Sequence, residues 1–212
     1  MVNSPPGDPR GLFLLAHGAG KGMASSFLET LAHGLTDSGL RVVRFNFPYM
    51  ARMLSTGERK NPNSGKVLRK CFSDVISHCV ARERVPPRYI FIGGKSMGGR
   101  AAAMVADNHK VSGVICFGYP FRSSAPGKYR IGALRNMQTP TLICQGERDP
   151  DGIRDEVAML DFSDKVHIHW VHGAGKNYKL INNTGSAEQN RIQDVIKVSN
   201  EFISRRVKES QK

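Results

Sequence analysis

The chain has no run of about 18 uninterrupted apolar residues, so hydropathy offers no membrane-spanning helix. Its opening, Met1-Val2-Asn3-Ser4-Pro5-Pro6-Gly7-Asp8, lacks the basic and then apolar order of a secretion signal, and a soluble cytoplasmic protein is the expectation. Cysteine is scarce. None of the four, Cys71, Cys79, Cys116 and Cys144, has zinc-ligand or redox spacing, so they are expected as reduced core residues and no metal site is expected. Acidic residues are also in short supply, 18 against 31 Lys and Arg, which leaves a net charge of +13. Nucleic acid is the obvious partner for such a surplus. Yet the basic residues are scattered in groups such as Lys66/Arg69/Lys70 and Arg205/Arg206/Lys208, without the aromatic-basic motif of an RNA-binding sheet. They read as solvated faces, with attraction of anionic substrates or partners as the functional alternative. No linker interrupts the 212 residues, 40% of them hydrophobic, so one domain is expected over 1–212, with 1–10 as a flexible lead. The oligomeric state leaves no mark in the sequence.

What the chain does have is alternation. Six runs rich in β-branched and aromatic residues, Leu12 to Ala16, Val42 to Phe47, Tyr89 to Ile92, Gly113 to Phe117, Thr141 to Gln145 and Val166 to Val171, are separated by helical patterns. That order predicts an α/β fold, a doubly wound six-stranded parallel sheet with helices on both faces. Ser26-Phe27-Leu28-Glu29 reads as a capping box opening a helix that Gly39 stops. Apolar residues from Leu68 to Cys79, and again from Ile192 to Ile203, recur at helical spacing. Two longer connections, Pro48 to Gly65 and Tyr119 to Arg130, follow carboxyl ends of strands, where open α/β sheets place their ligands. They are the expected pocket walls, with Tyr49 and Arg52 in the first and Tyr119 and Arg122 in the second as candidate substrate contacts.

One segment carries the chemistry. Tyr89-Ile90-Phe91-Ile92-Gly93 runs into Gly94-Lys95-Ser96-Met97-Gly98 and then into the helix-forming Arg100 to Ala106, a strand, a sharp turn and a helix. In that setting Gly-x-Ser-x-Gly is a nucleophile elbow. Glycine is needed at Gly94 and Gly98 because the backbone packs too tightly for a Cβ, and Ser96 is the candidate nucleophile. A second glycine-rich loop, His17-Gly18-Ala19-Gly20-Lys21-Gly22, also follows a strand. A dinucleotide fingerprint would need glycine at Met23, and a phosphate-binding P-loop ending at Lys95-Ser96 would need glycine at Tyr89, so neither nucleotide motif is complete. The loop suits an oxyanion hole instead, the N–H of Ala19 pairing with that of Met97, and His17 reads as a loop anchor rather than a base. After the fifth strand, Gln145-Gly146-Glu147-Arg148-Asp149-Pro150 offers a carboxylate where a triad acid belongs. Asp149 is preferred over Glu147 and Asp151 because the following proline fixes the loop.

In this order of parts the chain resembles the α/β-hydrolase superfamily. His17 to Gly20, Val43 to Tyr49, Gly93 to Arg100, Phe117 to Phe121 and Gln145 to Pro150 look like the small, lidless dienelactone-hydrolase-like group, over roughly Leu12 to Ile203. That group also includes the hydrolase-like domain of a subunit of a chromatin-associated acetyltransferase complex. The resemblance implies a minimal α/β-hydrolase fold with local strand order 2-1-3-4-5-6, Ser96 standing after the third strand, and no cofactor.

The pattern departs from the family in one loop. Relatives end the loop after the last strand with a catalytic histidine, whereas this chain reads Trp170-Val171-His172-Gly173-Ala174-Gly175-Lys176-Asn177, which puts Lys176 at the histidine position. Three outcomes stand open: His172 as base, Lys176 as base, or an idle site. The expectation is a serine hydrolase acting on a small ester, thioester or related acyl bond, since no insertion after the fourth strand makes a lid. A catalytically silent binding or scaffold protein is the alternative. Arg52, Arg59, Arg122, Lys128 and Arg130 in the two connections make an anionic substrate a hypothesis.

Overall fold

The computed structural model describes residues 1–83, 85–179 and 186–210 of the chain, and side chains of the last helix from 190 onward. In chain order its elements are β1 (Val2–Asn3), β2 (Gly11–Ala16), α1 (Ser26–Thr36), β3 (Leu40–Phe45), α2 (Pro48–Thr56), α3 (Gly65–Glu83), β4 (Ile90–Lys95), α4 (Met97–Ala103), α5 (Ala106–His109), β5 (Gly113–Phe117), α6 (Gly132–Arg135), β6 (Thr141–Gly146), α7 (Arg154–Val157), β7 (Val166–Val171) and α8 (Ser186–Glu209).

Strands β2, β4, β5 and β6 are apolar along nearly their whole length, so the sheet must be covered on both faces. It is. Because successive side chains of a strand point to opposite faces, Leu12, Leu14 and Ala16 of β2 pack with Phe72 and Ile76 of α3 and Ala101 and Ala102 of α4. Phe13 and Leu15 meet Leu28, Leu31 and Leu35 of α1 and Val195, Ile196 and Ile203 of α8 on the other side. The burial of β7 is only partial, as suits an edge strand.

The sheet corrects the six-stranded expectation. Among the described residues it has seven strands in the order β1-β3-β2-β4-β5-β6-β7, and β1 runs antiparallel to β3 while all other pairs are parallel. The addition comes from the segment expected as a flexible lead. Val2 and Asn3 pair with Val43 and Val42, and the Met1 amino group and carbonyl bond to Arg44, so the edge of β3 is covered rather than left as a bare row of amides.

Other local expectations are also corrected. The Ser26–Glu29 capping box does not form: α1 begins after Ser25, whose side chain makes no capping bond. The Pro48-to-Gly65 connection is largely α2, since Pro48 at the first helical position needs no amide partner and Gly57, at φ 73°, closes the helix.

The direction of winding reverses between β2 and β4: β2 leads through α1 to β3 on one side, and β4 leads through α4 and α5 to β5 on the other. The crevice beyond the carboxyl ends of β2 and β4 is where a doubly wound sheet binds its ligand.

Candidate active site

Ser96 sits at that crevice, between the end of β4 and the start of α4, with φ 48° and ψ −109°. For a residue with a Cβ this is a strained turn, costing about 1–3 kcal/mol, and the packing around it explains why it persists. A Cβ on Gly94 would come within 2.4 Å of the Ala16 carbonyl oxygen, and one on Gly98 within 2.6 Å of that of His17. Backbone lies directly on backbone here, so α4 starts hard against the end of β2 and the chain can turn only through residue 96. The first hydrogen bond of α4 runs from Arg100 N–H to the Ser96 carbonyl at 3.0 Å. The amides of Met97, Gly98 and Gly99 precede it and have no acceptor within the helix.

The loop after β2 is oriented by side chains behind it. His17 is fully buried. Its Nε2 accepts from the Phe47 amide at 3.0 Å, so the ring proton resides on Nδ1 and is donated to the Gly18 carbonyl at 2.7 Å. Burial holds its pKa below the usual histidine value, in keeping with a neutral anchor. The Tyr49 hydroxyl donates to the Ala19 carbonyl at 2.8 Å and lies 3.3 Å from that of Gly18. In a trans peptide the carbonyl and the next N–H point in opposite directions. With the carbonyls of Gly18 and Ala19 turned back toward His17 and Tyr49, the amides of Ala19 and Gly20 face away from them.

Gly18, Ala19 and Gly20 line a cavity of about 580 Å³ together with Ser96, Lys21, Ser25, Ser26, Phe27, Thr30, Lys95, Lys176, Asn177, Lys179 and Ile192. A recess running from it adds Phe117, Gly118, Asp149, Asp151 and Tyr178. Asp149 is buried, its Oδ1 accepting the Asp151 amide at 2.9 Å and its Oδ2 3.5 Å from where a Gly118 side chain would begin. Burial raises its pKa from the ordinary carboxylate value, opposed by the Asp151 amide and by Lys176 and Lys95. The structure thus brings Ser96, Ala19, Lys176 and Asp149 to one place.

It does not bring His172 there. The β6 and β7 loops are stitched together by Arg148 N–H to the Ala174 carbonyl and by the Glu147 carboxylate, which accepts the Gly173 amide at 2.9 Å. This turns His172 outward, its side chain 97% exposed and its Nδ1 3.0 Å from Glu147. Lys176 reaches the cavity wall, but its ammonium lies 2.5 Å from Asp151. Among the described residues no histidine lines the cavity or the recess.

The candidate substrate contacts are corrected as well. Tyr49 is buried behind the Gly18–Ala19 loop, and Tyr119 is buried with its hydroxyl donating to the Arg130 carbonyl at 2.9 Å. Arg122 pairs with Glu156, and Arg52 is exposed on α2. Both connections fold down onto the core instead of walling the cavity.

The residues that take their place went unread in the sequence. Lys95, the variable position before the serine, donates from Nζ to Asn177 Oδ1 and lies 4.7 Å from the centroid of Phe27. Asn177 and Tyr178 both have left-handed φ, 63° and 62°, and Tyr178 is clamped by its hydroxyl bond to the Cys144 carbonyl at 2.9 Å. The only sequence signal for Lys95 was its place inside the motif; Asn177 gave none.

The alpha/beta hydrolase domain family model matches residues 9–204. The chain belongs to that family. Solved structures agree on the fold. An alpha-beta serine hydrolase homologue from Coxiella burnetii superposes with TM-score 0.71 at 20% identity, over 95% of this chain and 89% of that one. A lidless a/b serine hydrolase from Xanthomonas campestris gives 0.72 at 16% identity, over 96% and 87%. Dienelactone hydrolase from Anabaena variabilis gives 0.71 at 21%, over 96% and 89%. This alpha/beta hydrolase therefore has lidless, dienelactone-hydrolase-like serine hydrolases as structural neighbours.

Proposed function

We propose that the protein is a serine hydrolase that cleaves a small ester, thioester or related acyl bond. The observation that carries this reading is the strained φ of Ser96, held by backbone-to-backbone contacts at Gly94 and Gly98 on the wall of the cavity. Ser96 attacks the acyl carbon. The amides of Ala19 and Met97 receive the developing oxyanion, the first turned from the Tyr49 side and the second lacking an acceptor in α4. Asp149 stands beside the reacting centre as the acidic member. No metal or organic cofactor enters this mechanism.

The size of the cavity suits a small molecule. Its charge adds a preference. Lys21 lines it, and among the described residues no carboxylate does, so an acyl compound bearing an anionic group is favoured, through a cation other than those the sequence suggested.

The test is reaction with a fluorophosphonate probe followed by peptide mass spectrometry. An adduct on Ser96 that disappears in Ser96→Ala supports the hydrolase. A specific observation favours the second reading, a catalytically silent binding protein using the same cavity: His172 faces solvent and Lys176 is ion-paired. Absence of any adduct, together with saturable binding of small carboxylates, decides for it.

A further inference from the structure

We infer that Lys95 is the base of this site: its ε-amine, tethered by Asn177 and facing the ring of Phe27, takes the Ser96 hydroxyl proton and later delivers it to the leaving oxygen. The inference rests on the hydrolase reading above and supplies the group that reading lacks.

Three features of the geometry carry it. Lys95 and Ser96 are consecutive, and both line the cavity as well as its inner recess. The stem of Lys95 runs along Gly18, its Cγ 3.6 Å from where a Cβ of that glycine would stand, which keeps the side chain inside the crevice. Among the described residues its amine has one hydrogen-bond partner, the Asn177 side-chain oxygen, presented by a residue in a left-handed conformation. A neutral amine donates one hydrogen to that oxygen and still has its lone pair for the serine proton. Lys176 has no such freedom, because its Nζ is already engaged by the Asp151 carboxylate at 2.5 Å.

Among the described residues, the charged groups around the amine come from three loops. The loop after β6 presents Asp149 and Asp151, the loop after β7 presents Lys176 and Lys179, and the loop after β2 presents Lys21 and, behind it, neutral His17. From α1 come only Phe27, Ser26 and Thr30. Burial is the largest influence on Lys95; Asp149 and Asp151 oppose it and Lys176 assists, bringing the amine to about 8. Near neutrality it therefore exchanges protons readily.

The step balances. Neutral Lys95 accepts the Ser96 proton as the Oγ–carbon bond forms and the carbonyl electron pair moves onto oxygen. Collapse of that intermediate breaks the bond to the leaving alcohol or thiol, which takes the proton from the Lys95 ammonium. Water then attacks the acyl-serine, giving its proton to Lys95, and the second collapse returns it to Ser96 with release of the acid.

The experiment measures the rate of Ser96 modification by a fluorophosphonate against pH in the native protein, Lys95→Met, Lys95→Arg and Lys176→Met, each checked for folding by near-ultraviolet circular dichroism. In the native protein the rate should rise through an inflection near 8. Lys95→Met and Lys95→Arg should both be slower by at least about 100-fold, with that inflection gone. Lys176→Met should keep it and move it upward by about half a pH unit, because a neighbouring positive charge is lost. Competitive acylation of the native protein with acetic anhydride, read by peptide mass, gives the titration midpoint of the Lys95 amine without any variant. Fast modification in Lys95→Met with an unchanged pH profile, or a Lys95 midpoint at an ordinary lysine value, overturns the inference while leaving the hydrolase standing. No modification of the native protein at any pH removes the hydrolase and this inference together.

Discussion

Two loops meet at this cavity, and they are held by partly different means. The elbow at Ser96 is fixed by backbone contacts: Gly94 and Gly98 lie against the carbonyls of Ala16 and His17 with no room for a side chain. The loop after β7 shares such backbone contacts where Gly146 lies against the Ala174 and Gly175 carbonyls, and adds side-chain clamps, Glu147 on the Gly173 amide and Tyr178 on the Cys144 carbonyl, that carry it on to Lys176 and Asn177. A geometry built from backbone tolerates almost no substitution. One built from side chains can keep its path while the residue it presents changes, and here it presents Lys176 and Asn177.

The largest expected effect comes from one added methyl group at the elbow. Gly94→Ala should destabilise the fold by about 3 kcal/mol, since the new Cβ lies 2.4 Å from a carbonyl that the sheet cannot release. Thermal unfolding measures it; a melting temperature within about 2 °C of the native protein's would contradict the backbone account of the elbow.

A smaller effect, of opposite sign, is expected where the two loops touch. Burial places the Lys95 ammonium at about 8 in the folded chain against 10.5 for a free lysine. A depressed pKa means that the native protein loses stability as pH falls through that window, because the folded state must then bury a charge. Lys95→Met removes that penalty, so it should stabilise the fold at pH 7 by about 1–2 kcal/mol, a gain that fades as pH rises toward 10.5. Urea unfolding at pH 7 and pH 10 checks both the sign and the trend.

On the cavity wall between them, Lys21→Ala should raise KM for a carboxylate-bearing ester about three-fold at low salt and leave a neutral ester unchanged, the difference vanishing at about 1 M salt. Equal effects on both esters would mean that Lys21 does not read charge. The smallest effect is reserved for His172→Ala, which should change Ser96 modification by less than about two-fold, because that ring is exposed and bonded to Glu147.

The sequence made the elbow legible because its requirement is local: glycine two residues either side of the serine, after an apolar strand and before a helix. The sheet was legible through alternation, apart from β1, whose two residues carry no periodicity and are recruited only because β3 leaves an open edge. His17 as an anchor and Asp149 near the nucleophile could both be reached from chain order. The cavity wall could not. Which side chains line it depends on where α2 and the Tyr119–Arg130 segment pack; neither contributes a lining residue, and Arg122 pairs with Glu156. Lys95 and Asn177 are 82 positions apart, and nothing in either neighbourhood announces the other.

The central claim is that the Ser96 hydroxyl is an activated nucleophile. The most direct measurement is the intact mass of the native protein after exposure to a fluorophosphonate at pH 8.5, a pH chosen above the Lys95 value of about 8. The account requires a single adduct that maps to Ser96 and is absent from Ser96→Ala. An unchanged mass, or an adduct on any other residue, would contradict it.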